Sequence, residues 1–335
     1  MKLRVGLIGL GRAWESRHRS ALRALSDRFE VRAVCEQVAV RAEQAAREFN
    51  ATPVDGYRAL AERADVDALL LLAEQWCGPL PILAACDAGK AIYCAASFDF
   101  DPEQAKRIKD RVEQSGIAFL AEFPRRHSPA TIRLKELIAT RLGTPRLLFC
   151  HVRQPAEPVD SRVPCVSHYS AMHDLIELAD WCTFVVGRPP TAVTGVRHAS
   201  DTADAKDDYQ MMSLQFAGQD ANTPLATAQI SCGRYMPAAW HEATSFRPPA
   251  ALQVACEHGI AFIDLPATLT WFDRAGRHIE SLDSERPVGE LLLGQFYRSV
   301  TSLVRHSSNI DDAFRALNIV LQAQSSFDDG RRMLV

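Results

Sequence analysis

The chain has 335 residues, 47% of them hydrophobic and 24% charged, with a formal net charge of −3. That length suits two domains rather than one core. The near-neutral, scattered charge excludes a nucleic-acid or membrane surface as the main partner, and no apolar run approaches the roughly 20 residues that span a bilayer.

The first 120 residues alternate strand and helix. Leu3 to Leu10 is an almost continuous apolar run, the pattern of a parallel strand buried on both faces. A helical stretch follows through Leu25, then a strand at Phe29–Glu36 and a helix at Arg41–Phe49. Val66–Ala73 reads as the third strand, Leu80–Lys90 as a helix stopped at Gly89, and Ala91–Ala96 as the fourth strand. Asp101 and Pro102 open a helix that runs to Gly116, as N-cap and first helical residue. Ile117–Phe123 is the fifth strand. This alternation predicts a doubly wound parallel sheet.

After Pro124 the rhythm changes. A helix over Ser128–Gly143 leads to a strand near "RLLFCHVR", and the polar stretch Gln154–Pro164 reads as a loop. A strongly helical piece covers His168–Gly187. From there to about Ser284 short and alternating apolar runs predict antiparallel strands, and two helices, Gly289–His306 and Asp311 to about Ser326, close the chain. The expected architecture is therefore α/β: a Rossmann domain at 1–123, then an α+β domain at 124–335 with a large open, mainly antiparallel sheet. The final helices are free in this reading to pack back on the first domain. Nine dispersed cysteines without a CxxC pair fit a reduced cytoplasmic protein.

"GLGRAW", Gly9 to Trp14, follows the first strand and precedes a helix. The first glycine permits a tight turn and the second lets backbone approach a pyrophosphate at a helix start. Trp14 stands where the third glycine of the pattern belongs. Glu36 ends the second strand, where a carboxylate accepts from ribose hydroxyls and repels a 2′-phosphate, so NAD is expected as cofactor. Arg12 and Arg41 nearby leave NADP as the alternative.

On these residues the chain resembles the Gfo/Idh/MocA oxidoreductases, the family of glucose–fructose oxidoreductase and inositol dehydrogenase. "DAGKAIYC" is similar to that family's entry into the fourth strand. "PRRHSPATIRLKELIATRLGTPR" (Pro124 to Arg146) and "ELADWCTFVVGRP" (Glu177 to Pro189) resemble its two characteristic helices. The resemblance implies cofactor contacts from Gly9, Gly11, Arg12, Ala13, Trp14, Glu36, Ala73, Glu74, Gln75 and Ala95. It also implies assembly as a homo-oligomer through the second sheet. The family's E-K-P falls on Ala95, Ala96 and Ser97, so its catalytic lysine is absent, and its T-P-N falls on Ala73, Glu74 and Gln75. Its Asp and His, four apart on one helix, fall on His173 and Glu177.

His173 and Glu177 are i and i+4 and share a helix face, which Asp180 extends; a carboxylate beside an imidazole makes a serviceable acid/base pair. An exposed i,i+4 pair is the plain alternative. Arg126 aligns with the family's arginine and is a candidate for a ligand carboxylate or hydroxyl, with His168 and Tyr169 as further substrate candidates. Trp240, His241 and Glu242 could line the same pocket. The spacing of His168, His173, Glu177 and Cys165 matches no strong metal-ligand signature, and no metal is expected.

The expected activity is hydride transfer between nicotinamide and a small polar, sugar-, polyol- or imine-like substrate. Two alternatives stay open: a catalytically silent member acting as ligand sensor or partner subunit, and a non-redox lyase, hydrolase or epimerase that uses NAD transiently.

Overall fold

The computed structural model describes residues 2–72, 78–95, 98–156, 171–199, 208–218, 224–237, 251–302 and 308–335. The chain divides into two compact units, Met1–Pro124 with Arg286–Arg315, and Arg125–Glu285 with Ala316–Val335.

The first unit holds six strands: β1 (Leu3–Ile8), β2 (Phe29–Cys35), β3 (Thr52–Pro53), β4 (Ala68–Leu71), β5 (Ala91–Cys94) and β6 (Phe119–Ala121). All pair in parallel in the order β3-β2-β1-β4-β5-β6. The order reverses between β1 and β4, the place where doubly wound sheets bind ligands at their carboxyl ends. β4 and β5 are buried at every position, which is why the apolar runs are continuous rather than alternating. β3 is absent from the sequence-based reading. It is two exposed residues at the sheet edge, too short for any periodicity, and its proline is tolerated only at such an edge.

A π-helical turn, Trp14–His18, runs into α1 (Arg19–Ala24). The other helices are α2 (Ala39–Phe49), α3 (Tyr57–Ala61), α4 (Leu80–Asp87) and α5 (Pro102–Ser115). Asp101 caps α5 as its position predicts, accepting from the backbone N–H groups of Glu103 and Gln104 at 3.0 and 3.1 Å.

In the second unit α6 (Pro129–Leu137) passes into a π-helical turn (Ile138–Leu142), followed by β7 (Pro145–Ala156), α7 (Ala171–Val186), β8 (Ala192–Ala199), β9 (Asp208–Ala217), β10 (Pro224–Pro237), β11 (Leu252–Cys256), β12 (Ile260–Asp264), β13 (Thr268–Asp273) and β14 (Gly276–Ser281). Late in the chain come α8 (Val288–Thr301), α9 (Ile310–Asp329) and β15 (Met333–Leu334). The nine strands form one sheet in the order β14-β13-β12-β11-β7-β10-β9-β8-β15, antiparallel except for β7 beside β10.

α8 packs into the first unit. Its Leu292, Leu293 and Phe296 join the core that contains Tyr93 and Trp14, each such burial being worth about 1.5–3 kcal/mol. Gly289 allows that approach, since a Cβ there would stand 2.8 Å from the Arg17 carbonyl oxygen. Asn309 closes the sheet edge by bonding both backbone groups of Ala121, at 2.7 and 2.9 Å.

In the second unit α7 is buried nearly all round, with Leu175, Leu178, Trp181 and Cys182 at 2% exposure or less. Its Trp181 donates to Thr131 Oγ1 on α6 at 3.0 Å. Among the described residues no helix is long and apolar enough to cross a membrane.

Candidate functional site

The turn after β1 is set by Gly9, whose φ of 72° lies in the left-handed region that favours glycine. Its N–H donates to the Cys35 carbonyl at 2.8 Å, which ties the turn to the end of β2. Gly11 follows without a side chain, and the helical run begins at Arg12, where first-turn N–H groups have no carbonyl of their own helix to meet.

Trp14, which replaces the third glycine, is 2% exposed and lies in the apolar core, its ring 5.5 Å from Phe49 of α2. The indole is thus an internal packing element. A glycine turn with a left-handed first residue, no Cβ at the second and a helix start behind them fits a dinucleotide pyrophosphate.

Glu36 is built into this turn. One carboxylate oxygen accepts from Leu10 N–H at 2.5 Å and the other from Val38 N–H at 3.4 Å. The Arg41 guanidinium donates to the Leu10 carbonyl. The sequence suggests a ribose acceptor here; the structure adds a second task, holding the loop backbone. Ala95 sits directly after β5, half-buried against the core, and its N–H donates to the Leu71 carbonyl at 2.8 Å. Ala73, Glu74, Gln75, Ala96 and Ser97 lie outside the described residues, as do Cys165, His168, Tyr169, Trp240, His241 and Glu242.

At the carboxyl ends of β5 and β6 the unit buries a polar cluster that sequence reasoning missed. Glu122 accepts from His18 Nε2 at 2.7 Å and from the Tyr93 hydroxyl at 2.9 Å, and pairs with Arg17 Nη2 at 2.5 Å. Burial alone would raise the Glu122 carboxyl. His18, by charge and hydrogen bond, together with Arg17 and Tyr93, outweighs it and holds the group down to about 2. Burial, then the Glu122 charge, pushes the Tyr93 phenol well above its usual value. His18 is fully buried and its Nδ1 has no hydrogen-bond partner among the described residues.

The second unit contributes an ionic row on α7. His173 Nε2 lies 3.2 Å from Glu177 Oε1, the one-turn spacing expected of the pair. Glu177 also takes the Arg125 guanidinium, which reaches Asp174 Oδ1 at 2.8 Å as well. Glu177 is therefore shared between His173 and the Arg125 guanidinium.

Asp180, 2% exposed, is gripped by Arg126 through Nε and Nη2, and that guanidinium stands 5.6 Å over the Phe184 ring. Lys135 Nζ lies 5.5 Å from the same ring and donates to the Val185 carbonyl, and burial draws its pKa down. The sequence signal for this row was legible: carboxylates at 174, 177 and 180 recur at i, i+3 and i+6, and two consecutive arginines open the unit.

A cavity of about 480 Å³ in the same unit is lined by Arg125, His151, Arg153, Ser231, Gln253 and Asp264, among others. His151 Nδ1 and Ser231 Oγ are 2.5 Å apart, and burial, then Arg153, lowers the His151 pKa. The cavity is lined by polar and apolar groups alike and is large enough for a small ligand. Among the described residues no group of three His, Cys, Asp or Glu side chains converges as a metal site.

A doubly wound sheet with a glycine turn after its first strand, followed by a unit with a nine-stranded open sheet, defines a two-unit α/β protein with a Rossmann-type first unit. Residues 3–123 match the Gfo/Idh/MocA family model, described as an oxidoreductase family with an NAD-binding Rossmann fold. The chain is 30% identical over 186 residues to inositol 2-dehydrogenase of Cereibacter sphaeroides, covering 54% of each chain. It is 30% identical over 180 residues to inositol 2-dehydrogenase 3 of Saccharopolyspora erythraea, covering 52% of each. It thus spans about half the length of the curated relatives it matches.

Whole-chain likeness is seen in solved structures. Levoglucosan dehydrogenase in complex with NADH and levoglucosan has a TM-score of 0.79 at 17% identity, covering all of both chains. An NAD binding oxidoreductase from Klebsiella pneumoniae has a TM-score of 0.79 at 16% identity, covering 100% of this chain and 99% of its own. At these identities the structures share a fold with this chain, and the two-unit architecture is theirs as well.

Proposed function

We propose that this chain is an NAD-dependent oxidoreductase exchanging hydride between nicotinamide and a C–H/C=O or C–H/C=N centre of a small polyol-, sugar- or imine-like substrate. The observation that carries the reading is the Gly9–Gly11 turn at the carboxyl end of β1, with Trp14 withdrawn into the core. When bound, the cofactor supplies the hydride chemistry, and the chain's own residues bind, orient and manage the proton. The relatives named above as inositol dehydrogenases, and the neighbour named for its levoglucosan complex, support a polyhydroxylated substrate.

In this reading Gly9, Gly11, Arg12 and Ala13 cradle the pyrophosphate. Trp14 anchors the helix start, and Glu36 favours NAD over NADP while bracing the loop. Ala96 stands where relatives of the family carry lysine and offers no proton donor, so proton transfer falls to His173, oriented by Glu177. Asp180 and Arg126, bonded to each other, act as positioning groups for α7. His168 and Tyr169 remain candidates for substrate contact. Assembly of copies through the open sheet face of the second unit belongs to the same proposal.

The alanines at 95 and 96 also favour a second reading, a silent member that binds ligand without turnover, since neither residue carries a titratable group. A fluorescence titration with NADH followed by a polyol and sugar oxidation screen separates the two. Binding with turnover that falls sharply in His173→Ala supports the enzyme, whereas binding without turnover supports the sensor. Absence of NAD(H) binding at millimolar concentration removes both cofactor readings. Glu36→Ser is expected to shift preference toward NADP, read as the ratio of the two dissociation constants.

A further inference from the structure

We propose that a cleft in the first unit, between the turn following α1 and the outer face of α8, binds a phosphate-bearing small molecule at a place separate from the glycine turn. The cleft encloses about 360 Å³ and is lined by Arg28, Arg286 and Arg298, with Asp27, Glu290 and Gly294 among its other residues. The arginines come from three different segments. Arg28 follows α1, Arg286 precedes α8 and Arg298 lies in its third turn.

Two observations point to an occupant. The first is an excess of positive charge, three arginines against Asp27 and Glu290. Arg28 Nη1 and Arg298 Nη1 stand 4.0 and 3.8 Å from the position a Cβ on Gly294 would take, so both guanidinium groups are gathered over one spot on the helix. Among the described residues neither Arg286 nor Arg298 has a carboxylate within the 4.0 Å of an ion pair. Arg28 has only its exposed neighbour Asp27, at 3.6 Å. Arg4, Arg19, Arg63 and Arg111 of the same unit each meet a carboxylate at 2.5 to 2.8 Å. Like charges brought together in excess repel, and an anion between them reverses the sign of that interaction.

The second observation is Gly294 itself. Glycine in a helix interior is unfavourable relative to alanine, so its presence calls for a reason. At Gly289 packing supplies one, the 2.8 Å approach to the Arg17 carbonyl. At Gly294 packing does not, because an added Cβ would meet only those two guanidinium tips at ordinary contact distance. Gly294 is itself buried, and the absent side chain lets the two guanidinium groups lie close over the helix backbone at the floor of the cleft.

The guanidinium fork matches phosphate oxygens in pairs, and three such forks suit a doubly charged group better than a single carboxylate. The volume admits a small molecule rather than a peptide segment. Glu290 opposes the anion and sets a limit on affinity. The ligand's phosphate could belong to a sugar phosphate or be inorganic, and the two share the same recognition chemistry.

The test is calorimetric titration of the full chain with inorganic pyrophosphate and, in a second arm, glucose 6-phosphate, at low ionic strength with NAD saturating so that the glycine turn is occupied. The expected result is binding of one or both that weakens by roughly tenfold in Arg28→Ala and in Arg298→Ala and strengthens in Glu290→Gln. Gly294→Ala is expected to weaken binding while raising the melting temperature. Pyrophosphate binding alone assigns the site to inorganic phosphates, and glucose 6-phosphate binding assigns it to phosphorylated sugars. The proposal is overturned if neither probe binds, if the Arg28→Ala/Arg298→Ala double variant binds as wild type does, or if binding appears only when NAD is omitted. NAD affinity is recorded on the same samples, so failure at this cleft is distinguishable from failure at the glycine turn.

Discussion

Arg126 holds Asp180 through two of its guanidinium nitrogens, joining the first residues of the second unit to the middle of α7. Asp180 is almost wholly buried and Arg126 largely so. Removing one partner of such a buried pair is strongly destabilising, at roughly 3–5 kcal/mol. Asp180→Asn is therefore expected to lower unfolding free energy by about that amount, measured by urea denaturation. His173→Ala, which breaks the i,i+4 contact with Glu177, should lower stability less than Asp180→Asn does while removing activity. Equal stability of Asp180→Asn and wild type would deny the pair its structural role.

Trp14 offers a test of the glycine turn. Restoring the third glycine by Trp14→Gly empties an indole-sized space beside Phe49, and large-to-small changes of this kind cost about 3–5 kcal/mol. The expected variant melts at a lower temperature, yet its folded fraction binds NADH no more tightly than wild type, because the ring lies in the core rather than in the groove. A marked gain in NADH affinity would show that the indole obstructs the cofactor.

The buried Glu122 cluster predicts an acid-dependent stability. Its carboxyl titrates near 2 in the folded chain, below the usual 4.5. A depressed folded pKa contributes stability that is complete above the unfolded value and disappears as pH falls toward the folded one. The contribution is on the order of 3 kcal/mol. The gap in unfolding free energy between wild type and Glu122→Gln should be widest near neutral pH and narrow from about pH 4.5 downward. A gap independent of pH would mean that charge at Glu122 does not stabilise the fold.

The open face of the nine-stranded sheet carries its own prediction. Strand register places Leu147 in one row with Ala255, Ile260 and Phe272, and Phe149 in the next with Gln253, Phe262, Thr270 and Ile279. Leu147, Phe149 and Ile279 are 45%, 40% and 60% exposed, an apolar patch of the kind that seeks a partner surface. Light scattering is expected to give a mass of at least two chains, reduced by Phe149→Asp with Ile279→Asp. A monomeric wild type would remove oligomerisation through this face.

Much of the fold was legible because its signals are local. Continuous apolar runs mark strands covered on both sides, Asp101–Pro102 marks a helix start, and Gly9 with Gly11 marks the turn where a strand gives way to a helix. The α7 row was half legible: spacing placed His173 and Glu177 on one face, and they meet at 3.2 Å. What spacing could not show was that Arg125 shares Glu177 and that Arg126 occupies Asp180, contacts made across roughly 50 residues of chain. β3 escaped notice for another reason. Two edge residues become a strand only because β2 offers them hydrogen bonds.

The amino-acid order alone thus determined the doubly wound sheet, the second open sheet and the glycine turn, since backbone sterics and hydrophobic periodicity act within a few neighbouring residues. Only the tertiary structure decided that Trp14 packs inward, that Glu36 braces Leu10, that His18 and Glu122 meet inside the core, and that Arg28 and Arg298 gather above Gly294. Those outcomes depend on which distant side chains share one low-dielectric or solvent-lined space, and that is set by packing rather than by position along the chain.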